Sequence, residues 1–282
     1  MTVGLLPVIV HTSHFVDATN GKADVFPVLK KNHIHQDFFF DRSKKNYTIK
    51  KDLFASVSQM TIVPVSFWLD HLVEESFLKE HPHTVIYNGI DTDTFSSAIN
   101  KIDIRYKLGI QQGEMMLLGV ASPWSERKGL QDFLELSKRL SPEQKTVLIG
   151  LTKEQIESLP QNIKGIERTE SAKQLAEYYS ASDLFLNLTY EDNYPSVNLE
   201  AISCGTPCLT YRTGGSSESV TTETGFIVPQ GDINAVLQCI ETVQKNGKES
   251  YATACRNYAL MHFRQEDRFQ EYIDLYRQIL HI

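Results

Sequence analysis

Short apolar runs alternate with longer mixtures of polar and apolar residues along most of the chain. Several of these runs are apolar on both faces, which is typical of strands in a parallel sheet that is covered by helices on both sides. The predicted strands are residues 5–10, 61–65, 84–88, 115–121, 145–150, 163–167, 183–188, 207–211 and 225–229.

Helical patterns fill most of the intervals between these strands. The predicted helices are residues 66–79, 128–140, 152–158, 171–181, 195–204 and 231–246, and the chain from about residue 250 onward is mostly helical. The repeated order of strand, helix and strand predicts an α/β protein with doubly wound, Rossmann-like parallel sheets.

Two stretches depart from this alternation. Residues 15–48 are polar and predict a long loop with little regular structure, and residues 91–101 mark a break between two organised parts. The predicted division has three parts. They are a partial N-terminal domain at 1–95, a C-terminal domain at 96–262, and a final helix at 263–282 that crosses back to the N-terminal domain.

Composition and charge narrow the possible functions. The 282 residues are 41% hydrophobic and 22% charged, and no apolar run approaches the roughly 18 residues of a membrane helix. The net charge of −7 argues against nucleic acid or an anionic membrane as a bulk partner. Four cysteines in a chain of this length favour a reducing cytoplasm, with at most peripheral contact at the inner membrane face.

One polar segment, residues 189–207, follows the predicted strand at 183–188 and leads into a helix. Pro195 lies where the first turn of a helix tolerates proline, and Gly205 followed by Pro207 ends the helix. The segment therefore predicts a helix whose start lies at the carboxyl end of a strand, where ligands of open α/β sheets bind.

The chemistry of this segment suits a phosphate and two sugars. Free N–H groups and the positive end of the helix dipole would hold a phosphate at Tyr194, Pro195, Ser196 and Val197. Glu200, one turn deeper, can accept hydrogen bonds from ribose hydroxyls, and Asp192 or Glu191 can reach a second hydroxylated group. The alternative is a helix cap at Asp192 or Asn193 with a buried salt bridge at Glu200, and spacing alone favours neither interpretation.

The segment DNYPSVNLEAISCGTP, from Asp192 through Glu200 to Pro207, resembles glycosyltransferase family 4. In that family an acid follows a strand, and a glutamate eight positions later lies in a helix closed by Ala-x-x-Cys-Gly-x-Pro. Position 192 carries Asp where many members carry Glu. The resemblance continues in order through SFWLDHLVEES (66–76), VIYNGIDTDTF (85–95), ERKGLQDFLEL (126–136) and YRTGGSSE (211–218), and covers roughly residues 60–282.

The resemblance implies a GT-B fold with a complete C-terminal domain and an abbreviated N-terminal acceptor domain. It also implies a retaining hexosyltransferase that uses a UDP- or GDP-linked sugar, needs no cofactor and no metal, and acts on a glycan or lipid-linked acceptor in surface polysaccharide synthesis. Two alternatives remain: a nucleotide-sugar-binding subunit completed by a second chain, and a nucleotide-sugar epimerase.

Further candidate residues follow the other predicted strands. Arg127 and Lys128 come before a helix and would neutralise the donor diphosphate, or they lie in a solvated loop. Gly214 and Gly215 would bring backbone N–H groups to a phosphate, or they form a plain tight turn. Arg168 would stack on the nucleotide base, or it is a surface arginine.

Three other patterns carry less weight. The DTD sequence at 91–93 looks like a metal motif, but we predict that Asp91 caps or bridges the connector between domains. His33 and His35 lack the further ligands of a metal site. His14 is a candidate for the histidine that, in the family, faces the transferred sugar.

Overall fold

The structure is a computed structural model, and it describes residues 8–11, 43–97 and 102–281. The predictions for His14, His33 and His35 lie outside the described residues. The chain separates into an N-terminal unit, Met1–Tyr87 with Leu275–Ile282, and a central unit, Asn88–Asp274. The predicted boundaries at residues 95 and 262 stay a prediction.

The N-terminal unit contains a two-stranded parallel sheet. Strand β1 (Val8–His11) pairs with β2 (Met60–Val63), and helix α1 (Ser43–Ala55) precedes β2 in the chain. The helix corrects the prediction of irregular structure up to residue 48. It was missed because its sequence is mostly polar, and among its residues Phe54 packs on the small core around β2.

Helix α2 (Phe67–Glu74) follows β2 and is shorter than the predicted 66–79. The Ser66 hydroxyl accepts a hydrogen bond from the Leu69 N–H at 3.1 Å, which is an N-cap. The predicted strand at 84–88 is wrong. Thr84 and Ile86 donate to β2 and to Pro64, but Pro64 has no N–H to return, so the ladder is interrupted.

The central unit is built on a six-stranded parallel sheet with the order β5-β4-β3-β6-β7-β8. Its strands are β3 (Met115–Val120), β4 (Gln144–Ile149), β5 (Ile163–Ile166), β6 (Leu184–Asn187), β7 (Cys208–Tyr211) and β8 (Gly225–Val228). Each coincides with a predicted strand within two residues at either end, which is the usual uncertainty of such boundaries. The prediction of a doubly wound α/β fold is confirmed.

Eight described helices belong to the remaining chain. They are α3 (Ile102–Lys107), α4 (Leu130–Ser137), α5 (Lys153–Glu157), α6 (Ala172–Ala181), α7 (Ser196–Ser203), α8 (Ile233–Asn246), α9 (Glu249–His262) and α10 (Gln265–Leu280). Helix α3 was not predicted, because it is short and polar. Its Arg105 is held by the Asp183 carboxylate at 3.0 Å and by the Ala181 carbonyl at 2.9 Å.

The central strands are apolar because both of their faces are covered. Every residue of β6 and β7 is buried, and Leu117 and Leu118, which point to opposite faces of β3, are fully buried. The strand order then reverses between β3 and β6, because β4 and β5 lie on one side and β7 and β8 on the other. In such sheets the crevice outside the carboxyl ends of the two strands at the reversal is the usual ligand site.

Candidate active site

The loop after β3 is packed tightly against the loop after β6. Gly129 has a φ of 75°, and a Cβ at this position would lie 2.0 Å from the Leu188 carbonyl oxygen. Glu126–Lys128 form a short 3-10 turn, and α4 begins only at Leu130. The predicted helix at 128–140 therefore starts too early, because Gly129 in the left-handed conformation ends the 3-10 turn and begins α4.

Backbone hydrogen bonds join the same two loops. The Arg127 carbonyl accepts the Tyr190 N–H at 2.8 Å and the Thr189 hydroxyl at 3.2 Å. The Arg127 side chain is exposed. Arg127 thus holds the loops through its main chain, and its guanidinium points to solvent beside them.

Lys128 and Asp192 meet across this junction. The Lys128 ammonium donates to Asp192 Oδ2 at 2.5 Å, and the two side chains are 24% and 18% exposed. A charge-assisted bond of this length between largely buried groups is a strong one. The structure therefore brings together the cation predicted for the diphosphate and the acid predicted for the sugar.

The loop that contains Gly214 and Gly215, which follows β7, contacts the main chain of Asp192. The Gly215 N–H donates to the Asp192 carbonyl at 3.0 Å. A Cβ at Gly214, which has a φ of 49°, would lie 2.0 Å from the same oxygen. The Gly215 N–H is therefore used to position Asp192, so it is not available to a phosphate in this arrangement.

Glu200 is nearly buried beneath the start of α7, and hydroxyl groups are its partners. Glu200 Oε2 accepts the Tyr179 hydroxyl at 2.9 Å. Burial raises the pKa of Glu200, while hydrogen bonds from Tyr179 and Ser196 lower it. Within the part of the chain that the structure describes, Glu200 is not paired with a cation, so the buried salt bridge considered as an alternative is not formed.

The start of α7 lies next to this carboxylate. Pro195 is the N-cap residue and Ser196 the first helical residue, so the helix begins one position later than predicted. Pro195 makes no side-chain cap hydrogen bond. Ser196 and Val197 are the first helical residues, and their N–H groups precede any intrahelical acceptor. Tyr194 and Pro195 are buried, while Ser196 is exposed. Pro195 supplies no side-chain acceptor, so the N–H groups of the first turn can serve as donors to a ligand.

A buried polar network, which the sequence did not reveal, fixes α7 to the sheet. The Asn187 amide donates to Asn198 Oδ1 at 2.8 Å, and the Asn198 amide donates to the Ser219 hydroxyl at 3.1 Å. Thr210 and Ser216 share a hydrogen bond of 2.7 Å in the same network. The only sequence signal was the presence of amide and hydroxyl residues within otherwise apolar runs.

Asp132 is a second residue that sequence reasoning missed. Its carboxylate accepts the Tyr190 hydroxyl at 3.0 Å and the Tyr211 hydroxyl at 2.6 Å. Burial, followed by the hydrogen bond to Asp132, raises the pKa of Tyr190 to about 12. Asp132 therefore joins α4 to the loop that follows β6 and to the last residue of β7.

Two other predicted positions lie elsewhere in the fold. Arg168 is exposed and follows β5, the edge strand, which β4 separates from β3. The structure does not bring it to the Lys128–Asp192 pair. Asp91 accepts the Thr94 N–H at 2.9 Å and the Asp93 N–H at 3.0 Å, so the prediction that it caps the connector is confirmed. The hydrogen bonds from Thr94 lower the pKa of Asp91.

Proteins of similar sequence include glycosyltransferases. Residues 114–246 match the family described as Glycosyl transferases group 1. A curated relative is the UDP-Gal:alpha-D-GlcNAc-diphosphoundecaprenol alpha-1,3-galactosyltransferase of Escherichia coli, which is 26% identical over 219 residues, covering 72% of this chain and 56% of the relative. The chain spans about half the length of the curated relatives it matches.

Solved structures show the same fold at low sequence identity. Sucrose-phosphate synthase from Thermosynechococcus elongatus superposes with a TM-score of 0.73 at 21% identity, covering 86% of this chain and 64% of that one. Anabaena HepE, solved in complex with UDP-glucose, gives a TM-score of 0.66 at 20% identity, covering 83% and 67%. None of the helices that the structure describes has the length and apolar character needed to cross a membrane. At residues 114–246 the chain is thus similar to the glycosyl transferases group 1 family, and its fold is that of the GT-B glycosyltransferases.

Proposed function

We propose that this protein transfers a hexosyl group from a nucleoside-diphosphate sugar to a hydroxyl group of a glycan or lipid-linked acceptor, with retention of configuration. The observation that carries the proposal is the Lys128–Asp192 pair at the reversal of strand order, beside the start of α7 and Glu200. A cation, free N–H donors and two acids at one sheet edge suit a diphosphate flanked by two sugars.

Each of these groups has a role in the proposed reaction. Lys128 and the N–H groups at the start of α7 stabilise the charge that develops on the leaving diphosphate, with Arg127 able to add a second cation. Glu200 accepts hydrogen bonds from the ribose, and Asp192 orients the transferred sugar. No metal ion and no cofactor are required in this proposal.

The bond changes can be written without a protein base. The bond between the sugar C1 and the diphosphate oxygen breaks, and the acceptor oxygen bonds to C1 on the same face. The proton of the acceptor hydroxyl passes to the leaving diphosphate. The protein then contributes mainly position and electrostatic stabilisation, which can supply a large part of the barrier lowering.

A UDP-linked hexose is the donor that we propose to test first. The Escherichia coli relative is named for UDP-Gal and for a diphosphoundecaprenol-linked acceptor. A lipid-linked acceptor would place the reaction at the cytoplasmic face of a membrane, with peripheral contact. A GDP-linked sugar is the other donor class to include in the test.

Calorimetric titration with UDP, GDP, ADP and their hexose conjugates tests the site. Lys128→Ala should weaken the binding of the preferred nucleotide by roughly tenfold or more, the scale of one lost charged contact. The matched control is Lys138→Ala, because Lys138 is the C-cap residue that ends α4. Its side chain is 65% exposed, and its ammonium lies 2.7 Å from Glu135 Oε2. Equal nucleotide affinity in the wild type and in Lys128→Ala would contradict the assignment of Lys128 to the donor diphosphate.

A second candidate function is a nucleotide-sugar-binding subunit that has no transferase activity of its own. The region that matches covers 56% and 53% of two curated relatives, so part of their length has no counterpart in the match. Turnover of a UDP-hexose with an acceptor by the isolated chain excludes this candidate. Binding without turnover, together with a second chain that restores it, supports the subunit and excludes independent activity.

A further inference from the structure

A cluster of two carboxylates and one imidazole lies in the N-terminal unit, on elements that the proposed function does not use. Asp70 and Glu74 are one helical turn apart on α2, and His83 lies in the segment that pairs with β2. One ligand atom from each of the three lies within 4.8 Å of the others. The i, i+4 spacing places the two acids on one face of the helix, and the pairing with β2 brings His83 to that face.

The orientation of His83 determines which ring nitrogen faces the acids. Its Nδ1 lies 3.1 Å from the His81 carbonyl oxygen, and a carbonyl only accepts, so Nδ1 carries the hydrogen. Nε2 then faces Asp70 Oδ1 at 3.6 Å. In a neutral ring this nitrogen is an acceptor, and two acceptors that face each other need a cation between them. A backbone carbonyl on the far nitrogen is the usual support of a metal-binding histidine.

Asp70 has an unused acceptor at the same place. Its Oδ1 is buried and has no hydrogen-bond partner among the residues that the structure describes. The Glu74 carboxylate adds a second negative charge beside this unsatisfied oxygen, and a bound cation would stabilise both acids. Glu74 is exposed, so an ion can reach the cluster from solvent.

We propose that Asp70, Glu74 and His83 bind a divalent transition-metal ion, for which Zn²⁺ is the probe. Imidazole nitrogen with carboxylate oxygens is a ligand set for Zn²⁺ and related ions, whereas Ca²⁺ and Mg²⁺ prefer oxygen ligands alone. Three protein ligands leave a position for water. The ion would join α2 to the segment beside β2 and stabilise the N-terminal unit. The resemblance implied no metal for the transfer reaction, and it assigned no role to these three residues.

Calorimetric titration of the full chain, stripped with a chelator, tests the site with Zn²⁺ alone. We expect one ion per chain, and affinity reduced at least about tenfold in His83→Gln, since even the loss of a supporting partner costs that much. Glu74→Gln is the second test variant, for use if His83→Gln fails to fold. It changes an exposed ligand and should also weaken Zn²⁺ binding. Addition of Co²⁺ should give a visible absorption band in the wild type that is lost in both variants.

His71→Gln is the matched control, because His71 offers a rival surface site on the same helix. Its Nδ1 lies 3.4 Å from Glu74 and its Nε2 lies 3.4 Å from Glu75. Binding retained in His71→Gln and weakened in His83→Gln supports the proposal. Binding lost in His71→Gln but retained in His83→Gln overturns it. Absence of Zn²⁺ binding in the wild type also overturns it.

Discussion

The Lys128 ammonium lies 2.5 Å from the Asp192 carboxylate, so in this structure the main candidate cation for the diphosphate is paired with an acid of the protein itself. A nucleotide diphosphate must share or displace this partner. Lys128 is therefore held in place before the ligand arrives, and the repulsion between Asp192 and the diphosphate opposes part of the binding energy.

Asp192→Asn should separate binding from transfer. The variant removes one negative charge next to the diphosphate, so we expect UDP to bind as tightly as in the wild type or a few times more tightly. Turnover of the UDP-hexose should fall by roughly tenfold or more, because the transferred sugar loses its orienting acid. Calorimetry with UDP and steady-state transfer kinetics measure the two quantities.

Glu191→Gln is the control for this experiment, since Glu191 is the neighbouring acid that could serve in place of Asp192. A fall in turnover in Glu191→Gln, with wild-type turnover in Asp192→Asn, would transfer the sugar-orienting role to Glu191. Weaker UDP binding in Asp192→Asn would contradict the repulsion between the acid and the diphosphate.

Tyr179→Phe should change the pH dependence of nucleotide binding through Glu200. The ionised carboxylate accepts ribose hydroxyls, so binding weakens as the pH falls through the pKa of Glu200. Burial raises this pKa, and the Tyr179 hydrogen bond lowers it. Removal of that bond raises the pKa further, and we therefore expect the acid limb of UDP binding to move to higher pH.

Titration of UDP affinity across the acidic range measures this shift. Tyr178→Phe is the control, because Tyr178 is the adjacent, partly exposed tyrosine of the same helix. An identical pH profile in Tyr179→Phe and the wild type would show that Glu200 does not control binding through its ionisation.

Gly129→Ala should be more destabilising than Gly109→Ala. Both glycines have a φ near 75°, so both substitutions impose the left-handed strain of about 1–2 kcal/mol. Only Gly129 is crowded, since its Cβ would lie 2.0 Å from the Leu188 carbonyl oxygen, whereas nothing lies within 4 Å of that of Gly109. Denaturant unfolding of both variants gives the difference, and equal losses would contradict the close packing of the two loops.

Lys248→Met should destabilise the central unit by about 3–5 kcal/mol, because each buried acceptor left without a partner costs about 1–3 kcal/mol. The Lys248 ammonium is buried and donates to the carbonyls of Ser180 and Ser182 at 2.7 and 2.8 Å and to the Thr206 hydroxyl at 2.6 Å. Methionine has similar length but no donor, so three buried acceptors lose their partner.

The control for this change is Lys245→Met, which alters an exposed lysine near the end of α8. Its effect on the free energy of unfolding should stay within about 0.5 kcal/mol, as for most surface substitutions. Similar losses in the two variants would mean that the hydrogen bonds of Lys248 contribute little.

The central sheet could be predicted because its strands carry their signal locally. Runs such as Met115–Val120 are apolar on both faces, and nothing in the rest of the fold reverses that preference. The error at 84–88 has a different origin, since the missing donor is on Pro64, the residue that follows β2. A run can look like a strand and still lack a partner that completes the ladder.

The candidate site was predictable only in part, for a similar reason. Asp192 and Glu200 are eight positions apart and could be found together. The Tyr179 hydroxyl that holds Glu200 is 21 positions away, and the Asp132 carboxylate that accepts Tyr190 is 58 positions away. Such partners meet only through the order of the strands. The turn at Lys128 depends likewise on the packing of Gly129 against Leu188, which is invisible from one segment.

The main-chain role of Arg127 has a consequence for how this protein could be altered. The atom that joins the two loops is a carbonyl oxygen, which every amino acid supplies, while the side chain at that position points to solvent. Residue 127 can therefore be exchanged without disturbing the framework that holds Asp192. Substitution at this position can change the charge that an incoming substrate meets. The hydrogen bonds that join the two loops are kept.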